Sequence, residues 1–467
     1  MRFLQFYQMG KTGTSHNQEH IPFSEAIKTW FRIAMYSFGG PAGQIAVMHK
    51  LLVEEKKWIS ENRFLHALNY CMLLPGPEAQ QLTIYIGWLM HKHKGGIVAG
   101  SLFVLPGFIA ILILSLLYAG LGETPLVQAI FYGIKPAVMA IVVQAVFKIG
   151  KRALKNEVMI LLAMIAFVAI FAFNIPFPFI ILAAALIGYL GGKIWEHKFY
   201  VLKGHEAKDT NLQQSEYYLD RTLDANVTKP SFTSSLKTAI LWLALWFLPI
   251  GLLFLIFEHD SVFISESIFF SKAAVVTFGG AYSVLAFIAQ RAVEVYGWLM
   301  PGEMLDGLGM AETTPGPLIQ VVQFVGFMGA YRNPGNLDPM WAGVFASVVV
   351  TWVTFIPCFL YIFLGAPYIE YLRGNKSLTT ALSGITAAVV GVILNLGIWF
   401  TVHAIFGEVH KYEGYGMRLD VPVWETIDFI ALFIGVTAFI ALFKFKINML
   451  QVLGGSVLLG IAAYLFN

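Results

Sequence analysis

Two copies of one pattern lie 240 residues apart in this chain. "FGGP" begins at Phe38 and "FGGA" at Phe278, while "LPGPEAQQL" centres its Pro-Gly-Pro on Gly76 and "TPGPLIQVV" on Gly316. Trp58 and Trp298 keep the same interval, as do Gln80 and Gln320. Further on the interval becomes 251, pairing Pro106 with Pro357 and Gly133 with Gly384, and the 11 added residues fit the polar stretch "YRNPGNLDP". Chance gives one such match, not several in constant register, so the chain folds as two related halves of transporter-like type.

Composition says what kind of halves these are. The 467 residues are 57% hydrophobic and 13% charged, with 39 Phe, which is too little charge for a soluble chain of this length. Clear spanning candidates are 95–119, 126–149, 157–173, 176–195, 236–257, 341–364, 378–402, 427–443 and 447–466. Between them lie four Gly/Pro-interrupted stretches near 24–48, 63–91, 265–290 and 303–330, for about 13 transmembrane or membrane-dipping segments. Each interrupted stretch either crosses or dips and returns. The expected fold is an all-α integral membrane protein with broken helices. Its parts are an N-terminal cytoplasmic segment (1–23), a first repeat (24–196), a charged cytoplasmic linker (197–235), an extra transmembrane helix (236–257) and a second repeat (258–467). Cys71 and Cys358 offer neither a disulfide framework nor a metal cluster. The first twenty residues lack the continuous apolar core of a signal peptide. No cofactor motif, metal-ligand spacing, nucleophile elbow or basic patch for nucleic acid is present.

Loop charges orient the halves. Lys and Arg at 91–94 and at Lys148, Lys151, Arg152 and Lys155 mark cytoplasmic ends, and "GLGETP" between them is outside. The second half reverses this: Arg373 and Lys376 precede 378–402, and Lys444 and Lys446 join the last two helices. The expected arrangement is therefore inverted-topology repeats, with 236–257 supplying the odd crossing. It puts the N-terminus in the cytoplasm and the C-terminus outside. Arg332, in an expected outer loop, dissents.

A helix cut inside a membrane frees backbone N–H groups, which persist only where they line a cavity or meet a ligand. The restarted half-helix presents about half a positive charge and a fan of donors to an anion. Ser37, Gly39, Gly40, Pro41 and Gln44, then Gly76 and Gln80, form two such restarts. Thr277, Gly279, Gly280, Thr314, Gly316 and Gln320 form their counterparts. Ser37 and Thr277 either donate to an oxyanion or cap a helix end. Arg32 and Lys272, each six positions ahead of its FGG, are candidate ligands or else snorkel to the interface. Lys135, with Thr386 at the matching place, either touches the ligand or pairs with a structural carbonyl. Gln144 and Asn395 match across the halves, for hydrogen bonding or packing. Two carboxylates break the symmetry, Glu78 after the first PGP and Glu312 before the second; each is a candidate for proton coupling, and Glu78 could instead just stabilise its helix start. Glu303 and Asp306 are read as mouth residues.

The stretches "SFGGPAGQIAVM", "LPGPEAQQLTIYIGW", "GGIVAGSLFVLPGF", "TFGGAYSVLAFI" and "ETTPGPLIQVVQFVGF", with Trp58, resemble the chromate ion transporter family over roughly residues 24–403. The resemblance implies a two-domain inner-membrane protein exporting chromate under the proton-motive force or membrane potential, with sulfate as a competing isosteric dianion. It implicates Arg32, Phe38–Pro41, Gln44, Pro75–Glu78, Gly279–Gly280 and Pro315–Pro317. The expected partners are chromate, sulfate, membrane lipid and a second copy in a homodimer. Competing readings are proton-coupled uptake of sulfate or another oxyanion, an anion channel, and a membrane-embedded enzyme.

Overall fold

Glycine and proline cut the chain at the places the repeat marks. The computed structural model describes residues 21–72, 74–122, 124–200, 217–219, 231–278, 280–368, 376–414 and 416–466. The segment 1–20, most of the linker, Gly279 and Arg373 lie outside the described residues. Helix α1 (Phe23–Tyr36) stops before Gly39 and Gly40, whose φ of +80° and +69° few other residues adopt. Helix α2 (Gly40–His49) restarts with Pro41 in its first turn and widens into a π-turn over Lys50–Glu55. Ser60 caps α3 (Glu61–Cys71), and a second break at Gly76 (φ +119°) leads into α4 (Glu78–Leu121). Helical geometry fails inside α4 at His91 and Lys92, leaving a short arm 78–90 and a long arm 93–121. Helices α5 (Pro125–Ala153), α6 (Glu157–Phe171) and α7 (Phe177–Ile194) complete the half.

The second half repeats this order after α8 (Phe232–Ile256), which has no counterpart. Helix α9 (Val262–Val276) breaks before α10 (Ala281–Gln290), again with a π-turn, at Arg291–Val295. Helix α11 (Glu303–Thr313), a break at Gly316, α12 (Val321–Arg332) and α13 (Pro339–Gly365) match α3 and the arms of α4. Helices α14 (Lys376–Ile405), α15 (Phe429–Phe443) and α16 (Met449–Phe466) match α5 to α7. Between α14 and α15 lies an antiparallel hairpin of β1 (Val409–Gly414) and β2 (Met417–Pro422), absent from the first half and from the sequence expectation. Among the described residues seven helices are long and apolar enough to cross a membrane, and α6 and α15 are shorter apolar helices.

The interrupted stretches double back. Lys56 Nζ lies 2.7 Å from Glu25 Oε1, joining the end of the π-turn to the start of α1. His91, at the end of the short arm, sits 3.0 Å from the Ile21 carbonyl oxygen and edge-on to Phe23, while His49 contacts Glu61. Both first-half stretches therefore form hairpins whose ends gather at one mouth and whose tips are the glycine breaks. In the second half Arg332 grips both carboxylate oxygens of Glu303 at 2.7 Å, closing α11 on α12. Arg332 is thereby paired with an acid of its own half.

Each long helix runs from its own half's mouth to the other's. The Tyr118 hydroxyl, near the far end of α4, donates to Asp306 Oδ2 at 2.9 Å in the first turn of α11. Near the end of α13, Phe363 packs on the His93 ring with centroids 4.8 Å apart. Behind them the halves exchange helices: α5 packs on α15 and α16, and α14 on α6 and α7. Gly133 sits against Ser456 and Gly460, and its counterpart Gly384 against Ala184 and Gly188, so one close contact is made twice.

Candidate substrate site

The hairpin tips meet in two reciprocal backbone hydrogen bonds. The Gly76 N–H donates to the Thr277 carbonyl at 2.7 Å, and the Gly316 N–H donates to the Ser37 carbonyl at 3.0 Å. Each tie joins the PGP break of one half to the FGG break of the other. Positive φ at Gly76 and Gly316 (+119° and +104°) turns the N–H toward its partner, a geometry that a side chain would strain. Gln44 adds a third link, donating from Nε2 to the Gly316 carbonyl at 2.6 Å. The long arms buttress the tips: Gly107 lies against Pro315, and its counterpart Cys358 against Gly76.

These ties engage several residues within the protein. The N–H groups of Gly76 and Gly316 hold the tips together. The Ser37 and Thr277 hydroxyls donate to the Ile33 and Ala273 carbonyls, at 2.7 and 2.6 Å, near the ends of their own helices. Thr314 likewise lies 3.4 Å from the Ala311 carbonyl, and Gln320 donates to Gln323 at 2.7 Å. Arg32 is half exposed and lies 3.5 Å from Glu55 at the mouth. Lys272 is exposed. Lys135 meets neither tip nor structural carbonyl; its Nζ is 3.3 Å from Asp306, a nearly buried carboxylate of the other half that Tyr118 also holds. Gly279 lies outside the described residues.

Open space and unpartnered polar groups stand at three helix starts, those of α2, α4 and α10. At α2, Gly40 is buried, yet a Cβ added there would touch nothing within 4 Å, so space opens beside it; Gly39 is equally unobstructed and Pro41 fills the first turn. First-turn N–H groups have no intrahelical partner. Gln80, in the first turn of α4, is fully buried with both amide atoms unpartnered, the condition of a group awaiting a ligand or water. The start of α10 differs. A Cβ on Gly280 would lie 4.0 Å from Glu78 Oε2, and the Tyr282 hydroxyl donates to the buried Glu312, whose Oε2 has no partner. The positions that match Glu78, Tyr282 and Glu312 in the opposite half hold Leu318, Ala42 and Met72, so of the paired starts of α2 and α10 only the latter has these carboxylates.

Sequence reasoning missed Glu266. It is fully buried, both carboxylate oxygens lack a partner, and it packs on Gly326 and Gly329 of α12. The signal was a single acid in the apolar run "VFISESIFF", with Ala26 at its counterpart. The Lys135–Asp306–Tyr118 cluster was equally hidden. Among the described residues no group of three or more His, Cys, Asp or Glu could hold a metal ion.

Comparison with known proteins agrees with this architecture. The family model described as chromate transporter matches residues 24–189 and 265–461, one block in each half. The chain is 26% identical over 456 residues to a chromate transport protein of Cupriavidus metallidurans, covering 97% of this chain and 96% of that one. It is 30% identical over 389 residues to a chromate transport protein of Pseudomonas aeruginosa, covering 81% and 82%. A probable chromate transport protein of Synechococcus elongatus is 26% identical over 364 residues, covering 78% and 81%. No solved structure matches the chain. With both halves matched and two further breaks in each at corresponding positions, the chain belongs to the chromate transporter family.

Proposed function

We propose that this protein is a secondary transporter exporting chromate, a tetrahedral dianion, across the inner membrane, and so confers chromate resistance. The observation that carries the reading is the joining of four broken-helix tips in two pairs, each by a reciprocal backbone tie between the halves. Broken helices meeting at a repeat interface are where transporters hold substrate. The chromate transport proteins of Cupriavidus and Pseudomonas supply the cargo.

The two unlike helix starts suggest a division of labour. The start of α2, open beside Gly39 and Gly40 and near no carboxylate of the matching set, takes the anion, with Gln80 as an amide donor. The start of α10, attended by Glu78 and Glu312, takes up protons. Arg32, beside Glu55 at the mouth, and the exposed Lys272 of α9 draw anions inward through their field. Contacts favour inverted repeats: Tyr118, 27 residues along α4 from the His91 mouth, reaches Glu303 and Asp306 at the mouth of the second half. Mouths at opposite ends of a long helix open on opposite faces.

Direction follows from charge. Two negative charges leaving an inside-negative cell release about 4.6 kcal/mol per 100 mV, at about 2.3 per charge. That exceeds three decades of concentration at about 1.4 kcal/mol each. Export therefore needs no coupling ion. The second reading, proton-coupled uptake of sulfate or another oxyanion, is favoured by the carboxylates beside α10. Flux in vesicles of defined orientation separates the two. Movement driven by an imposed potential without a pH gradient, and cut at least about tenfold by Gln80→Leu (the loss of a charge-assisted hydrogen bond), supports export. Flux that requires a pH gradient and fails in Glu78→Gln supports coupled transport. Sulfate flux without chromate flux would sink the cargo assignment.

A further inference from the structure

Helix α10 carries the backbone from the tips toward the second half's mouth, and its ten residues rise about 15 Å at about 1.5 Å each. At its far end Arg291 opens the π-turn with its guanidinium 5.8 Å from the Phe287 ring centre and no carboxylate partner among the described residues. Beside it lies a cavity of about 360 Å³, roofed by the β-hairpin and walled by the 172–176 turn. The hairpin is fastened over it. The Arg418 N–H donates to the Ala172 carbonyl at 2.8 Å, and Lys411 lies 3.6 Å from Glu294. Two amides join across the wall, Gln290 donating to Asn174 at 2.5 Å.

Two of the cations at this cavity are paired, Lys411 with Glu294 and Arg418 with Glu413, which leaves Arg291 without a carboxylate partner among the described residues. Arg291, Lys411 and Arg418 line it against the single carboxylate of Glu294. Arg418 also reaches Glu413 at 3.2 Å, and Glu413 and Asp420 line an adjoining cavity of about 310 Å³. A helix C-terminus favours one cation, which accounts for Arg291 alone. A hairpin that the first half lacks brings two more cations to the same recess, each held by one acid and able to turn further donors inward. Cations gathered in a recess concentrate field there, and arginine binds oxyanions in a forked geometry that lysine cannot match.

We infer that the hairpin-covered cavity is a second anion-binding site, a station for a divalent oxyanion at the outer end of α10, with Arg291 as its main ligand and Lys411 and Arg418 flanking it. The nature of the ligand rests on the oxyanion reading of the tips; the site itself does not. The cavity gives an anion released from the tips a place to dwell before the hairpin frees it. It also lets external oxyanion occupy the exit.

The test is equilibrium binding of radiolabelled sulfate to purified protein in detergent at low ionic strength, for wild type, Arg291→Gln, Arg291→Lys and Gln80→Leu, each first checked for a monodisperse elution peak. Two anions bound per wild-type chain, one remaining in Arg291→Gln, and roughly tenfold weaker binding in Arg291→Lys, is the expected result. A single bound anion lost in Arg291→Gln and kept in Gln80→Leu would support this site and overturn the reading of the tips. A single anion indifferent to Arg291 and lost in Gln80→Leu would overturn this site alone. No binding by the wild type would overturn both.

Discussion

At the scale of single residues, much of this protein's chemistry is spent on holding its own broken backbone. Gly316 illustrates it: Gly316→Ala forces a side chain onto a φ of +104° and toward Gly107, and is expected to cost about 1–3 kcal/mol. A lower melting temperature in detergent checks this, and an unchanged one would mean the tip relaxes freely. Lys135 and Asp306 form a sharper test because the acid is buried and the base is its one cationic partner among the described residues. Lys135→Met is expected to destabilise by about 3–5 kcal/mol, since it strands a buried charge. Adding Asp306→Asn should return much of that loss, and a double-mutant cycle on thermal unfolding reads the coupling. The breaks themselves were legible because glycine and proline announce them. The partners of the breaks were not, because a backbone N–H and a carbonyl have no residue identity to read. Lys135 and Asp306 stand 171 positions apart with nothing in the intervening sequence to join them.

At the scale of elements, a contact made twice should fail twice. Gly133→Leu would drive a side chain into Ser456 and Gly460, and Gly384→Leu would do the same to Ala184 and Gly188. Each is expected to cost upward of about 3 kcal/mol, the high end of overpacking, because backbone rather than a flexible side chain stands in the way. Comparable loss of folded protein on gel filtration for the two variants is the expected outcome; loss in one only would mean that the exchange of helices is not equally tight on both sides. Helix order and the duplicated interval carried this architecture in the sequence. The exchange of α5 and α14 between halves did not show, since apolar helices carry no address for their neighbours. The β-hairpin could have been found: "VHKYEGYGMRLDVP" places β-formers around a glycine pair, a turn signal overshadowed by the apolar helices on either side.

At the scale of the whole molecule, opposed mouths can be tested without any cargo. Gly335→Cys, in the open turn after α12, should react with a membrane-impermeant thiol reagent from outside the cell, and Lys57→Cys, after the first π-turn, only from inside. Native Cys71 and Cys358 are buried and give a low background. Labelling of both new positions from one side would exclude inverted halves. The tip-to-tip ties bear on ancestry as well as on mechanism. Both ends of each are main-chain atoms, so apart from the two glycines, whose positive φ aims the N–H groups, the bonds do not depend on side-chain identity. Side chains that take no part in the ties could therefore change, and cargo with them, without rebuilding how the two halves clasp.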